Sequence, residues 1–524
     1  MNRSHAIGLA ICASTVWFLS TITGGYAQEG QQSAQPAPED RRNAQPAPFD
    51  AVQEAQRGAR PHNEQGQSHP QRSNADQAAR NPKAMPITPA LNDQVDQGKE
   101  TGFIFAIDAH NSKKPGQTAQ EIMAADIKAK PGVMELQRKL LESRYNLEPK
   151  LDPEAKMSRG KPLPVGPTAK LKNGLTWEEL GKMTADEIKK ADAFPYPSLP
   201  HPKHATGGMV FPQVQIEQFP RLERFDVDHD IPEAFLPEFP PAIFLQNRPE
   251  LGDVSGGEVV SINNFHRLFK HILTPVQLDG LRLLVTPFPQ EEFNPTDDRK
   301  HVHPSLGVAC MDCHVNGHTT AQFHLNPDTR PEERRMRLDT PSLRGMFNQQ
   351  IHGSKRSLRS VEDFTEFEFR TAYFNGDPIR AMKKGFTIFD RVEVSHMAQM
   401  QNMFDFPPAP KLDVFGRIDP MKGTEAELRG QEIFHGKGRC AECHTGPHFL
   451  DHQMHDLHLE RFLNEPGDGP IKTFTLRGIK DSPPYMHDGR CLTLEDTVEF
   501  FNIVLMLQLT PEEKQDLVAF MRAL

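Results

Sequence analysis

Apolar residues are spread very unevenly along this chain, and the pattern divides it before any motif is considered. An apolar run from Ala6 to about Ile22 follows Arg3 and His5, and Gly25-Tyr26-Ala27 then puts small residues at the positions an export peptidase needs. Residues 1–27 therefore read as a signal peptide cleaved near Ala27, with a retained membrane anchor as the alternative. Cys12 does not make this a lipoprotein signal, because Ile11 is bulky where that cleavage requires a small residue. Residues 28–95 are rich in Gln, Pro, Ala, Arg and Asn and almost lack large apolar side chains. Such a stretch cannot bury enough surface to offset its ordering entropy, so it is expected to be a disordered tether.

Residues 96–257 are denser in apolar positions but are broken by Phe194-Pro195-Tyr196-Pro197 and Pro237-Glu238-Phe239-Pro240-Pro241. They predict an irregular, Pro-rich extension wrapping over the domains C-terminal to it, with helical patches at 132–144 and at 176–191, the second capped by Thr176. From about 258 the pattern becomes helical and repeats itself. The first copy has a helix opened by Thr274-Pro275, then Cys310–His314, Asp339-Thr340-Pro341-Ser342-Leu343-Arg344-Gly345, and His352-Gly353. The second has Thr424–Phe434, Cys440–His444, Phe474-Thr475-Leu476-Arg477-Gly478, and His487-Asp488-Gly489. Thr at the cap and Pro at the first helical position fit helix-start chemistry. Thr510-Pro511-Glu512-Glu513 starts a last helix with Leu517, Phe520 and Met521 on one face.

Composition narrows the classes. The chain has 524 residues, 46 of them Pro, and only 37% are hydrophobic, so long irregular connections and a modest core per residue are expected. A formal charge of −10 excludes a general basic field for nucleic acid. No later segment is apolar for long enough to span a bilayer, so the mature chain is expected to lack a transmembrane span. Of six cysteines, Cys12 leaves with the signal and Cys491 stands alone; the others form Cys310-Met311-Asp312-Cys313-His314 and Cys440-Ala441-Glu442-Cys443-His444.

CxxCH suits covalent haem attachment: each thiol adds to a haem vinyl group, and the adjacent His is held under the iron as proximal ligand. Two such motifs, each after a Gly-containing helix in an exported chain, make Cys310, Cys313, Cys440 and Cys443 the expected anchors of two haem c groups, with His314 and His444 on the irons. The rival is a zinc site built from the four cysteines, but zinc does not require each pair to be followed directly by His. The expected fold class is mainly α, with two tandem cytochrome c-like helical domains, 258–420 and 421–524, after the irregular extension. The opposite face of each iron decides between an electron carrier and peroxide chemistry. Candidates there are His301, His303, His318, His324 and His352 near the first motif, and Met454, His455, Met486 and His487 near the second. Most of the chain's 23 histidines have structural or solvated roles.

The order of motifs resembles the bacterial dihaem cytochrome c peroxidase family. Its members carry F-D-x-R before the first CxxCH, and CxxCHxGPxF, T-L-R-N, P-Y-x-H-D-G and T-L-E-x-x-V from the second onward. Here stand Phe293 and Asp298-Arg299, then Cys443-His444-Thr445-Gly446-Pro447-His448-Phe449, Pro484-Tyr485-Met486-His487-Asp488-Gly489 and Thr493-Leu494-Glu495-Asp496-Thr497-Val498. The resemblance covers about 260–524, is specific in the second copy, and leaves 28–250 as an addition. It implies electrons passing from a small redox donor protein, of cytochrome or cupredoxin type, through two haems to hydrogen peroxide. It also implies a calcium ion between the copies, at positions matching Asp339, Ser482 and Pro484, where a buried turn without metal is the equal alternative.

Departures carry as much information. Family peroxidases have an axial Met fourteen residues after the H-D-G histidine, and related maturation enzymes have a Tyr; here that position is Phe501, which has no ligand atom. The second iron is then open or ligated from elsewhere, with Met486 as the candidate distal ligand. The family's Trp between its haems is matched by Ile351-His352-Gly353, and the only tryptophans are Trp17 and Trp177. The distal acid–base group is left open among Glu362, Asp363, Glu366 and Glu368. A non-catalytic electron-transfer cytochrome and a haem oxidase acting on an organic or protein substrate are the rival functions.

Overall fold

The computed structural model describes residues 88–89, 119–200, 209–222, 229–287, 289–290, 305–306, 308–324, 337–355, 357–369 and 389–524. The signal, nearly all of the 28–95 tether, His301, His303 and the Phe293–Arg299 motif lie outside them.

The extension opens with α1 (Ala119–Arg144), which contains the 132–144 patch. The 176–191 patch is two short helices, α2 (Trp177–Leu180) and α3 (Ala185–Lys190), each opened by a threonine capping box at Thr176 or Thr184. Gly181 and the second cap explain the break: Thr184 takes the extended conformation a cap requires, which no continuous helix allows.

The repeat read from sequence is a repeat in structure. In the first copy α4 (Pro275–Leu284) starts at the Thr274 capping box, α5 (Val361–Phe367) at Ser360 and α6 (Arg391–Gln401) at Asp390. In the second, α7 (Glu425–His435), α8 (Leu494–Val504) and α9 (Pro511–Ala523) start at Thr424, Thr493 and Thr510. The packed pairs are α4 on α6 and α7 on α9. Both cross at a glycine. A methyl group on Gly280 would collide with the His396 carbonyl of α6, and one on Gly430 with the Asp516 carbonyl of α9. Absence of a side chain is what lets each pair of backbones approach.

Small antiparallel sheets share the same plan. β2 (Met209–Val210), β3 (Phe323–His324) and β4 (Leu338–Asp339) form one in that order, with Phe323 opposite Asp339. β1 (Thr88–Pro89), β5 (Met454–Asp456) and β6 (Ile471–Lys472) form the other in the order β1-β5-β6, with Met454 opposite Lys472. Each sheet thus gains an outer strand from the N-terminal region.

The extension supplies core to both copies. Phe211, Ile243 and Leu245 join Leu281, Leu284, Val394 and Met400 in one apolar cluster. Leu141, Tyr145, Phe194 and Tyr196 join Phe434, Phe500, Leu517, Phe520 and Met521 in the other. Phe194 stacks on Phe462 at 5.4 Å, and Tyr196 meets Phe500 edge-on at 6.0 Å. Polar anchoring accompanies this packing. The Asp496 carboxylate, 0% exposed, accepts from Thr168 N (2.7 Å), Thr168 Oγ1 (2.6 Å), Ala169 N (3.2 Å) and the Tyr196 hydroxyl (3.0 Å). A buried carboxylate with that many donors fixes the strand that crosses it.

Candidate haem-binding sites

Cys310–Cys313 forms a single helical turn, and the His314 amide donates to Cys310 O at 2.9 Å. Asp312 closes the turn by accepting from Ala309 N at 2.7 Å. The second motif is built alike: Cys440–Glu442 is a tight turn and His444 N donates to Cys440 O at 2.9 Å. In both, the hydrogen bond across the motif puts the histidine directly beyond its cysteines.

The histidine rings have the environment of iron ligands. His314 Nδ1 lies 2.8 Å from Pro341 O and His444 Nδ1 lies 2.9 Å from Phe449 O. A carbonyl only accepts, so Nδ1 carries the proton and the Nε2 lone pair is left for a metal. Burial keeps both rings neutral, pulling His314 down to about 4 and His444 downward as well. Burial also pushes the Cys310, Cys440 and Cys443 thiols up to about 12. Cys310 and Cys313 pack on one apolar cluster and Cys440 on the other, and among the described residues no group of ligand atoms joins the two pairs. The two pairs thus lie against different apolar clusters, whereas a four-cysteine zinc site would need them together.

The distal candidates separate. His318 has Nδ1 2.8 Å from Ser342 Oγ and Nε2 2.9 Å from Asp481 O, so neither nitrogen is available to iron. His324 lies on β3, half-buried, near enough to His314 to oppose its protonation. His352 is buried with Nδ1 lacking a hydrogen-bond partner. In the second copy Met454 is buried, and His455 Nε2 is 2.6 Å from Asp451 Oδ2. His487 is also buried, 3.9 Å from Asp468, with Nδ1 lacking a partner. Met486 sits at φ 70° and packs against the second apolar cluster, as does Phe501, whose ring lies 5.2 Å from Phe500.

Among the four acids, Asp363 and Glu366 pair with Arg391. Glu368 differs: it ends α5, and its charge bears on Cys310, opposing ionisation of that thiol. Aligning the repeats at their caps, Ser360 and Thr493, sets Glu368 opposite Phe501. The same alignment, anchored on Leu343 and Leu476, sets Asp339 opposite Lys472. Asp339 N donates to His487 O at 2.7 Å, so the structure brings it to the Pro484–Gly489 loop. Its shielded Oδ1 lacks a partner, and burial pushes its carboxyl well up. Ser482 Oγ donates to Ile479 O at 3.3 Å, and Pro484 is buried.

Residues that motif reading does not single out hold the copies together. Asp481 accepts from Ser158 N (2.9 Å) and Ser158 Oγ (2.6 Å) of the extension and pairs with Arg344 of the first copy at 3.0 Å. Arg490, 0% exposed, pairs with Asp488 and Asp468, each at 2.8 Å. The signal is present as charges inside otherwise apolar stretches, but burial is not written in a single sequence.

No family model matches the chain. Among curated proteins it is 28% identical over 222 residues to the methylamine utilization protein MauG of Methylorubrum extorquens, covering 38% of this chain and 56% of MauG. It is 31% identical over 132 residues to the cytochrome c551 peroxidase of Nitrosomonas europaea, covering 22% and 39%. It is 27% identical over 150 residues to the cytochrome c peroxidase IdrP1 of Pseudomonas sp. strain SCT, covering 19% and 40%. Over part of its length this chain is similar to the cytochrome c peroxidases and MauG. The matches span about half the length of those proteins or less. A crystal structure of a MauG-like protein associated with microbial copper homeostasis aligns at 18% identity and TM-score 0.32, covering 41% of this chain and 81% of that one.

Proposed function

We propose that this protein is an exported dihaem c-type cytochrome that takes electrons from a small cytochrome or cupredoxin and reduces hydrogen peroxide. The observation that carries the reading is the pair of CxxCH turns, each with a neutral histidine whose Nδ1 is committed to a carbonyl. Bound haem supplies one-electron redox chemistry and an iron on which peroxide can be reduced. The protein's residues do the rest. Pro341 O and Phe449 O orient the proximal rings and fix their tautomer. Glu368, the one of the four candidate acids whose charge bears on Cys310, is the group proposed to move a proton at its carboxylate.

Phe501 offers no donor atom, and Met486 is itself packed against the same apolar cluster, which favours an open second iron over ligation by Met486. An open iron supports an enzyme over a pure carrier. Asp339, with its unpartnered oxygen, together with Ser482 and Pro484, is the proposed calcium position. Calcium chelation should then lower the melting temperature, and calcium should restore it. Among the described residues no helix is long and apolar enough to cross a membrane.

Intact mass of the mature protein tests the core of this reading: two covalent haems are expected, and one after Cys440→Ala with Cys443→Ala. A wild-type increment of one haem or none, with a working attachment system, overturns it. Phe501→Met tests the open iron. The variant should gain a low-spin, Met-ligated spectrum; a wild type that already has one, lost in Met486→Leu, means that Met486 is the ligand and favours the carrier.

A further inference from the structure

Lys472 is a buried cation that pairs with no carboxylate among the described residues. Only 5% of it is exposed. It lies on β6 of the second copy, yet its partners belong to the boundary between copies. Its backbone N donates to Ser354 O of the first copy at 3.0 Å. Its ammonium donates to Gln349 Oε1, also of the first copy, and stands 5.0 Å from the centre of the Phe474 ring. No carboxylate among the described residues pairs with it, whereas Lys514 and Arg490, similarly buried, are each salt-bridged. The other titratable groups that feel its charge are His352 and His452, and each has an Nδ1 without a partner. The cluster therefore offers an ammonium, an amide and two imidazoles; the one carboxylate that bears on it, Asp451, acts on His452 and is paired with His455 at 2.6 Å, not with Lys472. A buried ammonium with only an amide acceptor is costly, and burial alone pulls Lys472 down to about 7. The first copy has an acid, Asp339, at the equivalent position, so the repeat itself does not explain a lysine here.

We propose that Lys472, with Gln349 and His352 from across the boundary, forms a carboxylate-binding site between the two haem-motif copies, and that its resident ligand is a haem propionate. The identity of that ligand rests on the dihaem reading above; the site does not. A carboxylate completes the ammonium's charge, can accept from an imidazole N–H, and leaves the Gln349 amide free to fix its orientation. Haem c presents two such groups, and a free small carboxylate has the same chemistry. The site would also tie one haem to both copies of the repeat, because its ligands come from each.

The test uses the haem-loaded protein, with haem content first established by intact mass, so that failure of the dihaem reading is seen separately. Wild type, Lys472→Met and Lys472→Arg are compared by spectroelectrochemical titration and thermal melting, each with and without added acetate. With a propionate on Lys472, the Met variant leaves a buried carboxylate unpaired. One haem's reduction equilibrium should then fall about tenfold, roughly 59 mV for one electron, the protein should melt earlier, and Arg should restore most of both. Wild type should ignore acetate. If wild type instead shows a saturable acetate response that Lys472→Met abolishes, the site stands, its ligand is a free carboxylate and the propionate assignment is overturned. If Lys472→Met keeps two haems, both potentials and its melting temperature, and neither protein responds to acetate, the site is overturned. Should Lys472→Met fail to fold, Gln349→Leu reads the same shift more weakly.

Discussion

The two haem-motif copies agree in their frames and disagree at their edges. α4 crosses α6 and α7 crosses α9 at a glycine, each CxxCH turn closes on its first cysteine carbonyl, and each histidine gives its Nδ1 proton to a carbonyl. The differences fall where a side chain leaves that frame. Glu368 stands opposite Phe501, and Asp339 opposite Lys472. A duplicated frame suits two like cofactors, and unlike residues at equivalent positions would give them different surroundings. The first copy then has an acid whose charge bears on its CxxCH turn, and the second has an apolar wall and a cation at the boundary.

The largest way to break that comparison is at Glu368. Glu368→Gln keeps the shape and removes the proton-carrying carboxylate, so peroxide turnover should fall on the order of 10²- to 10⁴-fold with both haems retained. Steady-state peroxidase assays check this. A loss under threefold would place the acid–base chemistry elsewhere and leave the Glu368–Phe501 difference without a catalytic meaning. Next come the crossings. Gly430→Ala and Gly280→Ala each force a methyl against a carbonyl, and each should cost about 1–3 kcal/mol in denaturant unfolding. Similar losses mean equivalent frames. A large loss at one site only would show that one copy carries the stability.

The extension ties to the two copies differently, and pH separates the ties. Asp496 anchors residues 168–196 to the second copy, whereas near the first copy His229 Nε2 lies 2.8 Å from Ala321 O. Burial pulls His229 down to about 4 from 6.5. The unfolded chain therefore takes up its proton first as pH falls, and stability drops between pH 6.5 and 4. The contribution is fully present above that window, and its loss is about 2 kcal/mol by pH 5. His229→Gln should remove that share of the drop without changing stability near pH 8, while His314, His352 and His487, also pulled down to about 4, keep the rest.

How much of the molecule is legible in its sequence depends on where the determining contacts lie. Helix starts are readable because a capping box is local: Thr274, Thr424 and Thr510 each bond within three residues. The haem turns are readable for the same reason. The 176–191 patch reads as one helix, and is two, because Thr184 serves equally as an interior residue until its side chain is seen to cap. Sequence alone keeps His318 among the distal ligands, since its partners Ser342 and Asp481 lie 24 and 163 residues away. The uncompensated charge of Lys472 is equally hidden, because an unpaired lysine and a solvated one look alike until burial is known.

The smallest test compares the two opening caps. Thr274 Oγ1 accepts from Gln277 N at 3.3 Å while Gln277 Oε1 accepts from Thr274 N at 3.0 Å; Thr424 and Glu427 make the same exchange at 3.3 and 2.8 Å. Either threonine changed to alanine should cost about 1 kcal/mol. The partners differ in charge, however. Glu427 is an anion at a helix N-terminus, where the backbone dipole favours it, and it also pairs with Lys411 at 2.6 Å. Gln277 is neutral and gains neither. Glu427→Gln turns the second cap into a copy of the first, and its cost should be about 0.5–1 kcal/mol at low salt, shrinking as salt is added. Gln277→Glu in the first copy should change stability by less than Glu427→Gln does, because it gains the dipole interaction but no lysine partner among the described residues, and loses the Gln277 amide's donation to Met403 Sδ at 3.0 Å. Equal and salt-independent effects in both copies would mean that the caps act through geometry alone and that the charge difference between them is silent.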